Sequence, residues 1–118
     1  MLSLLILIGQ ILTPLEDEKK DTTLKIVAPH IVLANPMEPT EVKAIFMVEN
    51  SPECSAIAVN WGDGETSSWE SCFEEEERVS YIKVHKYKVS GELKIVSAIW
   101  ESRTAKLLAR AEHKLIIN

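Results

Sequence analysis

The residues best suited to chemistry in this chain lie in one turn and the stretch that follows it. Trp61-Gly62-Asp63-Gly64-Glu65 sets two carboxylates two positions apart, between glycines that let the backbone bend sharply. Such a pair could contribute to a calcium site, although calcium takes about six to eight oxygen ligands and no spaced acidic loop of the EF-hand type is present. Asp63 is therefore expected to accept backbone N–H bonds within its own turn. Calcium on Asp63 and Glu65 stays as the lesser alternative. The run Glu74-Glu75-Glu76-Glu77 is a further candidate for a cation, but blocks of like charge are usually solvated. His30, His85 and His113 are scattered, and no serine elbow, phosphate-binding glycine loop or dinucleotide fingerprint occurs. The expectation is no catalytic residue, no required cofactor and no enzymatic activity. A small hydrolase or metal-dependent enzyme on a β-sandwich is the distant rival.

Cys54 and Cys72 flank this turn. They lack the close C-x-x-C spacing of zinc sites, and no histidine is near them in sequence. A disulfide is expected, with a pair of free buried thiols as the alternative. In the chain-entropy model, closing so short a loop adds roughly 3 kcal/mol. Trp69 and Phe73 lie in the polar stretch Glu65 to Glu77, between the turn and the end of the acidic run. One reading makes them an exposed aromatic platform for a sugar ring or a protein partner. The other makes them a mini-core packed under the stretch against the disulfide. Trp100 alternates away from Leu93, Ile95 and Ile99, so it faces outward or covers a sheet edge. Trp69, Phe73 and Trp100 are the candidate binding residues.

These residues need a scaffold, and 118 residues form one domain by the usual length prior. The formal charge is −5 and no basic stripe is visible. Nucleic acid and anionic membrane surfaces are disfavoured as partners, since both are bound through clustered lysine and arginine. Leu2 to Leu12 is almost wholly apolar. It is too short to span a bilayer as a helix, which takes about 20 residues, so no integral membrane span is expected. Its length suits the core of a secretion signal, although no Lys or Arg precedes it and no Ala-x-Ala site follows. A retained anchor or packing segment, or a misplaced gene start, are the alternatives. Residues 1–23 thus read as signal or anchor plus polar linker, and 24–118 as the domain. An export signal with an even cysteine count strengthens the disulfide reading and places the protein outside the cell or on its surface.

From Leu24 onward the dominant period is two, the mark of half-buried strands. Leu24 to Leu33 is extended and interrupted by Pro29, which fits an edge strand or one that switches sheets. Val42, Ala44, Phe46 and Val48 define a second strand, ended at Asn50-Ser51-Pro52. Ile57, Val59 and Trp61 share one face of a third. Glu65 to Glu77 reads as a long polar connection. Val79 to Tyr87 and the segment from Leu93 to Ile99 follow as strands. Ala105 to Lys114 is rich in helix formers, yet its polar residues fall on alternate positions, and a strand is expected there too.

The ordered set Trp61-Gly62-Asp63-Gly64, His85-Lys86-Tyr87 and Gly91-Glu92-Leu93-Lys94-Ile95 resembles the PKD (polycystic kidney disease) domain family, over about Leu24 to Asn118. The connection after Gly64 is longer and more acidic than the family pattern, Leu93 stands where tyrosine is common, and the two cysteines look like an addition. The resemblance implies an all-β, immunoglobulin-like antiparallel sandwich of two sheets and about seven strands, with the N-terminal apolar segment outside it. It implies structural roles for Trp61, Gly62, Asp63, Gly64, His85, Tyr87 and Gly91: Trp61 in the core, Tyr87 as a corner whose hydroxyl bonds back to nearby backbone. It also implies a non-enzymatic module for protein–protein interaction, adhesion or structural assembly. A carbohydrate-binding module and a virion or cell-surface decoration protein are the alternatives. The partner, protein or glycan, and the oligomeric state are not encoded in any motif.

Overall fold

Alternation builds the elements. From Thr40 to Val48 every second side chain is buried, while Glu41, Lys43, Met47 and Glu49 face out, as a strand with one wet face requires. The computed structural model describes residues 21–72 and 76–118, and among them every regular element is a strand. In chain order these are β1 (Thr23–Val27), β2 (Ile31–Val32), β3 (Thr40–Ser51), β4 (Cys54–Asn60), β5 (Thr66–Cys72), β6 (Glu76–Tyr87), β7 (Gly91–Glu101) and β8 (Leu107–Ile117). They form a three-stranded sheet, β1-β3-β6, packed on a five-stranded sheet, β2-β8-β7-β4-β5. The N-terminal apolar segment, most of its linker, Phe73, Glu74 and Glu75 lie outside the described residues.

The architecture is the expected immunoglobulin-like sandwich, with eight strands among the described residues and one correction: the pair of β2 with β8 is parallel. That pair follows from Pro29. β1 leaves the three-stranded sheet at Val27, and Pro29 has no N–H to continue a ladder. The chain then crosses and resumes as two residues on the edge of the other sheet, beside Ile116 and Ile117. His113 Nε2 donates to the Pro29 carbonyl oxygen at 2.9 Å and fixes the crossing point. The ambiguous C-terminal segment is strand β8, antiparallel to β7 across its length.

The core is closed by Phe46, Trp61, Tyr87, Ile95, Leu115 and Ile117, with Val48, Ile57 and Ile99 toward the far end. The edge of Phe46 meets Trp61 at 5.9 Å between ring centroids and Trp69 at 5.7 Å.

The stretch after the turn is also corrected. Thr66–Cys72 is not a loop but strand β5, the edge of the five-stranded sheet, paired with β4 from Asn60↔Thr66 to Cys54↔Cys72. Its inward positions are Ser67, Trp69 and Ser71, opposite Val59, Ile57 and Ser55. Two serines in three places erase the apolar alternation by which a strand is recognised. Cys54 and Cys72 stand directly opposite each other at a Cα separation of 4.1 Å and form a disulfide. It ties the edge strand to its neighbour near the point where the chain leaves for the other sheet. Because the bridge closes only 18 residues of sequence, its removal in Cys54→Ala/Cys72→Ala is expected to lower stability by about 2–3 kcal/mol. Urea unfolding of the oxidised parent and the variant checks this; coincident midpoints would contradict it.

The described chain enters at one pole, where Thr23 pairs with Glu49 beside the Asn50 turn. Its last strand ends at the opposite pole, where Ile117 pairs with Gly91. That second pole also carries the Trp61 turn, the segment before β3 and the segment after β6.

Candidate functional site

The site begins with the hairpin between β4 and β5. Trp61 N donates to the Glu65 carbonyl at 3.1 Å and closes it. Gly62 and Gly64 take φ of 89° and 93°, a region side-chain-bearing residues rarely enter. Gly62 carries a second constraint: a Cβ there would lie 2.6 Å from the Lys94 carbonyl oxygen on β7. Asn60 Oδ1 accepts from Gly62 N at 2.9 Å, and Asp63 Oδ1 accepts from Glu65 N at 3.1 Å. The second bond is the turn-stabilising role expected of Asp63 from its type and place.

What the sequence did not disclose is the other oxygen of Asp63. Asp63 Oδ2 lies 2.8 Å from His85 Nε2, and Glu65 Oε2 lies 3.2 Å from the same nitrogen. His85 is on β6 of the opposite sheet, its position set by the pairing of β6 with β3, where it faces Val42. The imidazole stacks on Trp61 at 4.7 Å with 3° between planes, and meets the Tyr87 ring edge-on at 4.6 Å. Trp61 Nε1 donates to Ser67 Oγ at 2.9 Å. Tyr87 donates its hydroxyl to the Trp61 carbonyl at 2.8 Å. The expected tyrosine corner is therefore corrected in its partner: the accepting carbonyl is 26 residues away, on the other sheet. These bonds and stacks clamp the two sheets together at this pole.

The side chains of Asp63 and His85 are only 6% and 11% exposed, while that of Glu65 is 66% exposed. Burial pushes the Asp63 carboxyl up. The hydrogen bond with His85, the Glu65 amide and the imidazole's charge together outweigh that and hold it below the ordinary carboxylate range. The Tyr87 phenol is driven well above its usual value, first by burial and then by the Asp63 charge, so it stays a hydrogen-bond donor. A depressed carboxylate contributes stability that is present above its unfolded value and lost as pH falls through the folded one. Asp63→Asn, which keeps Oδ1 as an acceptor, is thus expected to lose less stability than the parent between pH 5 and pH 2, pH values chosen about the ordinary aspartate value near 3.9. Urea midpoints across that range measure it; parallel curves would contradict the assignment.

Three candidate binding residues separate here. Trp69 is turned inward from β5. It packs on Phe46, lies 5.5 Å from the Tyr81 ring and carries Lys83 Nζ 4.5 Å above its ring. That geometry favours a core flank over an open stacking platform. Phe73 falls outside the described residues. Trp100 points away from the core, half-buried on the outer face of the five-stranded sheet between Ala56 and Leu107. Trp69 and Trp100 lie on opposite faces of the five-stranded sheet, so these two do not form one surface.

It does assemble an apolar pole that sequence reasoning passed over. Leu33 and Met37 are 81% and 88% exposed, and Ile31 and Val89 are also exposed. Met37 and Val89 line an open cleft of about 460 Å³ together with Asn35, Pro36, Thr40 and Tyr87, and Ile31 and Leu33 lie on the segment that leads into it. The loop is braced rather than loose: Asn35 N donates to Thr40 Oγ1 at 3.1 Å, and Met37 N to Asn35 Oδ1 at 3.2 Å. The one sequence signal was a methionine between two prolines, just after an apolar stretch that ends at Leu33.

No family model matches this chain, and no curated protein does. Solved structures do. One is the PKD domain of an M14-like peptidase from a Thermoplasmatales archaeon, with a TM-score of 0.64 and 15% identity, covering 84% of this chain and 97% of that one. The fold is that of a PKD domain. The CARDB domain of a Pyrococcus furiosus protein is similar too, with a TM-score of 0.61 and 16% identity over 82% of this chain and 94% of its own. At such identities the likeness speaks for the PKD-type sandwich and not for a shared activity. In a PKD-like frame the Trp61 turn, His85 and Tyr87 occupy the inter-sheet clamp.

Proposed function

We propose that this chain is a non-enzymatic, PKD-like module, exported from the cytoplasm, that contacts a protein partner through its apolar pole. The observation that supports this most is that pole: Met37 and Val89 exposed in a braced cleft, with Ile31 and Leu33 exposed at the same end of the sandwich. Contiguous exposed apolar surface rimmed by polar groups marks interaction sites, and a rigid loop loses little freedom when it docks. The chain's course suits a connecting role as well. β8, with eleven residues, spans roughly 35 Å at about 3.3 Å per residue, so a neighbour at either end would be held that far from the other. The disulfide supports export, since such bonds persist in oxidising compartments. Adhesion or assembly at a cell or particle surface are the roles this combination serves. The sugar-binding reading loses its main residue with Trp69 turned inward.

The experiment is photo-crosslinking in cells that express the full chain. A photoreactive residue at Met37 is expected to yield a discrete adduct with a protein, and one at Lys25, on the outer face of the other sheet, is expected to yield none. Equal yields from the two positions, or none from Met37, would contradict the reading. Thiol alkylation after acid quenching checks the compartment: Cys54 and Cys72 should resist labelling until a reductant is added.

A further inference from the structure

The cluster at the clamp poses a problem of valence. His85 Nε2 carries at most one hydrogen, yet two carboxylate oxygens converge on it, at 2.8 and 3.2 Å. That hydrogen, on a neutral or a charged ring, points to one of them. A cation between the three groups satisfies all of them. One nitrogen and two carboxylate oxygens, each from a different residue, lie within 4.8 Å of one another. Zinc with three protein ligands and an open fourth position uses this kind of donor set.

We propose that Asp63, Glu65 and His85 form a binding site for a zinc-class divalent cation that bridges the two sheets. His85 would coordinate through Nε2 in the tautomer protonated at Nδ1, with the displaced proton released to solvent. Asp63 would use Oδ2, because Oδ1 is engaged by the Glu65 amide. Glu65, with its side chain largely in water, closes over the ion and leaves a position for solvent. Tetrahedral ligands at about 2.1 Å from zinc lie about 3.4 Å apart. Asp63 and His85 would therefore part by about half an ångström, and the solvent-facing Glu65 side chain would swing to bring its oxygen to the same spacing. The stack on Trp61 and the edge contact with Tyr87 already hold the imidazole in place, which limits the ordering that binding requires. The histidine also decides the class of metal. Calcium seeks more oxygen donors than this corner supplies and does not favour imidazole. The inference stands apart from the proposed partner contact and does not depend on it.

The test is zinc titration of the chelator-treated, oxidised full chain by calorimetry, with thermal melting alongside. One equivalent is expected to bind. At free zinc about a hundredfold above its Kd, the melting midpoint should rise on the order of 10 °C. Glu65→Gln alters a solvent-facing ligand and should leave the fold intact while weakening zinc roughly tenfold or more. His30→Ala controls for the separate pair formed where His30 stacks on His113 at 4.6 Å, and should leave zinc binding unchanged. Calcium at millimolar concentration should not move the melt. A flat zinc titration, zinc binding unaffected by Glu65→Gln, or a calcium shift larger than that of zinc would each overturn the proposal.

Discussion

Trp61→Ala is expected to lower the unfolding free energy by about 4 kcal/mol, within the range of about 3–5 for loss of a large buried aromatic. The indole is 1% exposed and sits between the sheets. Its removal leaves a cavity and strips Phe46 of an edge contact and His85 of its stacking surface. It also leaves Ser67 Oγ without its donor. The neighbours cannot collapse into the gap easily, because β4 is paired on both sides, with β5 and with β7. Domains of this size have about 5–15 kcal/mol in total, so the variant should unfold near half the parent's urea concentration. A loss below about 1 kcal/mol would mean that the clamp is not centred on this residue.

Gly62→Ala is the second large effect, and it acts through backbone alone. An alanine at φ 89° is strained, typically by about 1–3 kcal/mol. Its Cβ would also meet the Lys94 carbonyl at 2.6 Å and the Lys94 amide nitrogen at 3.0 Å. Neither is a flexible side chain that can swing aside, and overpacking adds a further cost of about 1–3 kcal/mol. Together they give a destabilisation of about 4 kcal/mol. Gly64→Ala serves as the comparison. Its φ is 93°, but nothing lies within 4 Å of the added Cβ, so only the conformational part should appear. Equal unfolding midpoints for the two variants would contradict this account of the turn.

The contrast between these glycines marks what a sequence can and cannot carry. Gly-Asp-Gly signals a tight turn, because residue type alone governs access to positive φ. Which glycine lies under a neighbouring strand depends on the register of β4 on β7, a long-range fact. The same holds for Asp63. Its bond to the Glu65 amide follows from local spacing; its bond to His85 spans 22 residues and two sheets. Strands β3 and β8 were legible because one face is apolar and the other wet. β5 was not, since an edge strand with serines inward has no hydrophobic period to read. Trp69 stood between an exposed platform and a packed mini-core for the same reason: its neighbours in sequence are polar, and the ring's neighbours in space, Phe46 and Tyr81, come from the other sheet. Leu33 and Met37 were missed because an apolar residue at a strand end or in a turn is ordinarily covered by something.

The Trp61, Asp63, His85 and Tyr87 clamp holds the sheets, and the apolar pole is the proposed contact surface. One measurement separates the two directly. The double variant Met37→Glu/Val89→Glu is compared with the parent by thermal unfolding and by in-cell photo-crosslinking from Leu33. Stability should change by no more than about 0.5 kcal/mol, as for exposed positions, while the adduct from Leu33 disappears. An adduct that persists at full yield despite two new charges in the cleft would contradict the claim that this pole is the contact surface.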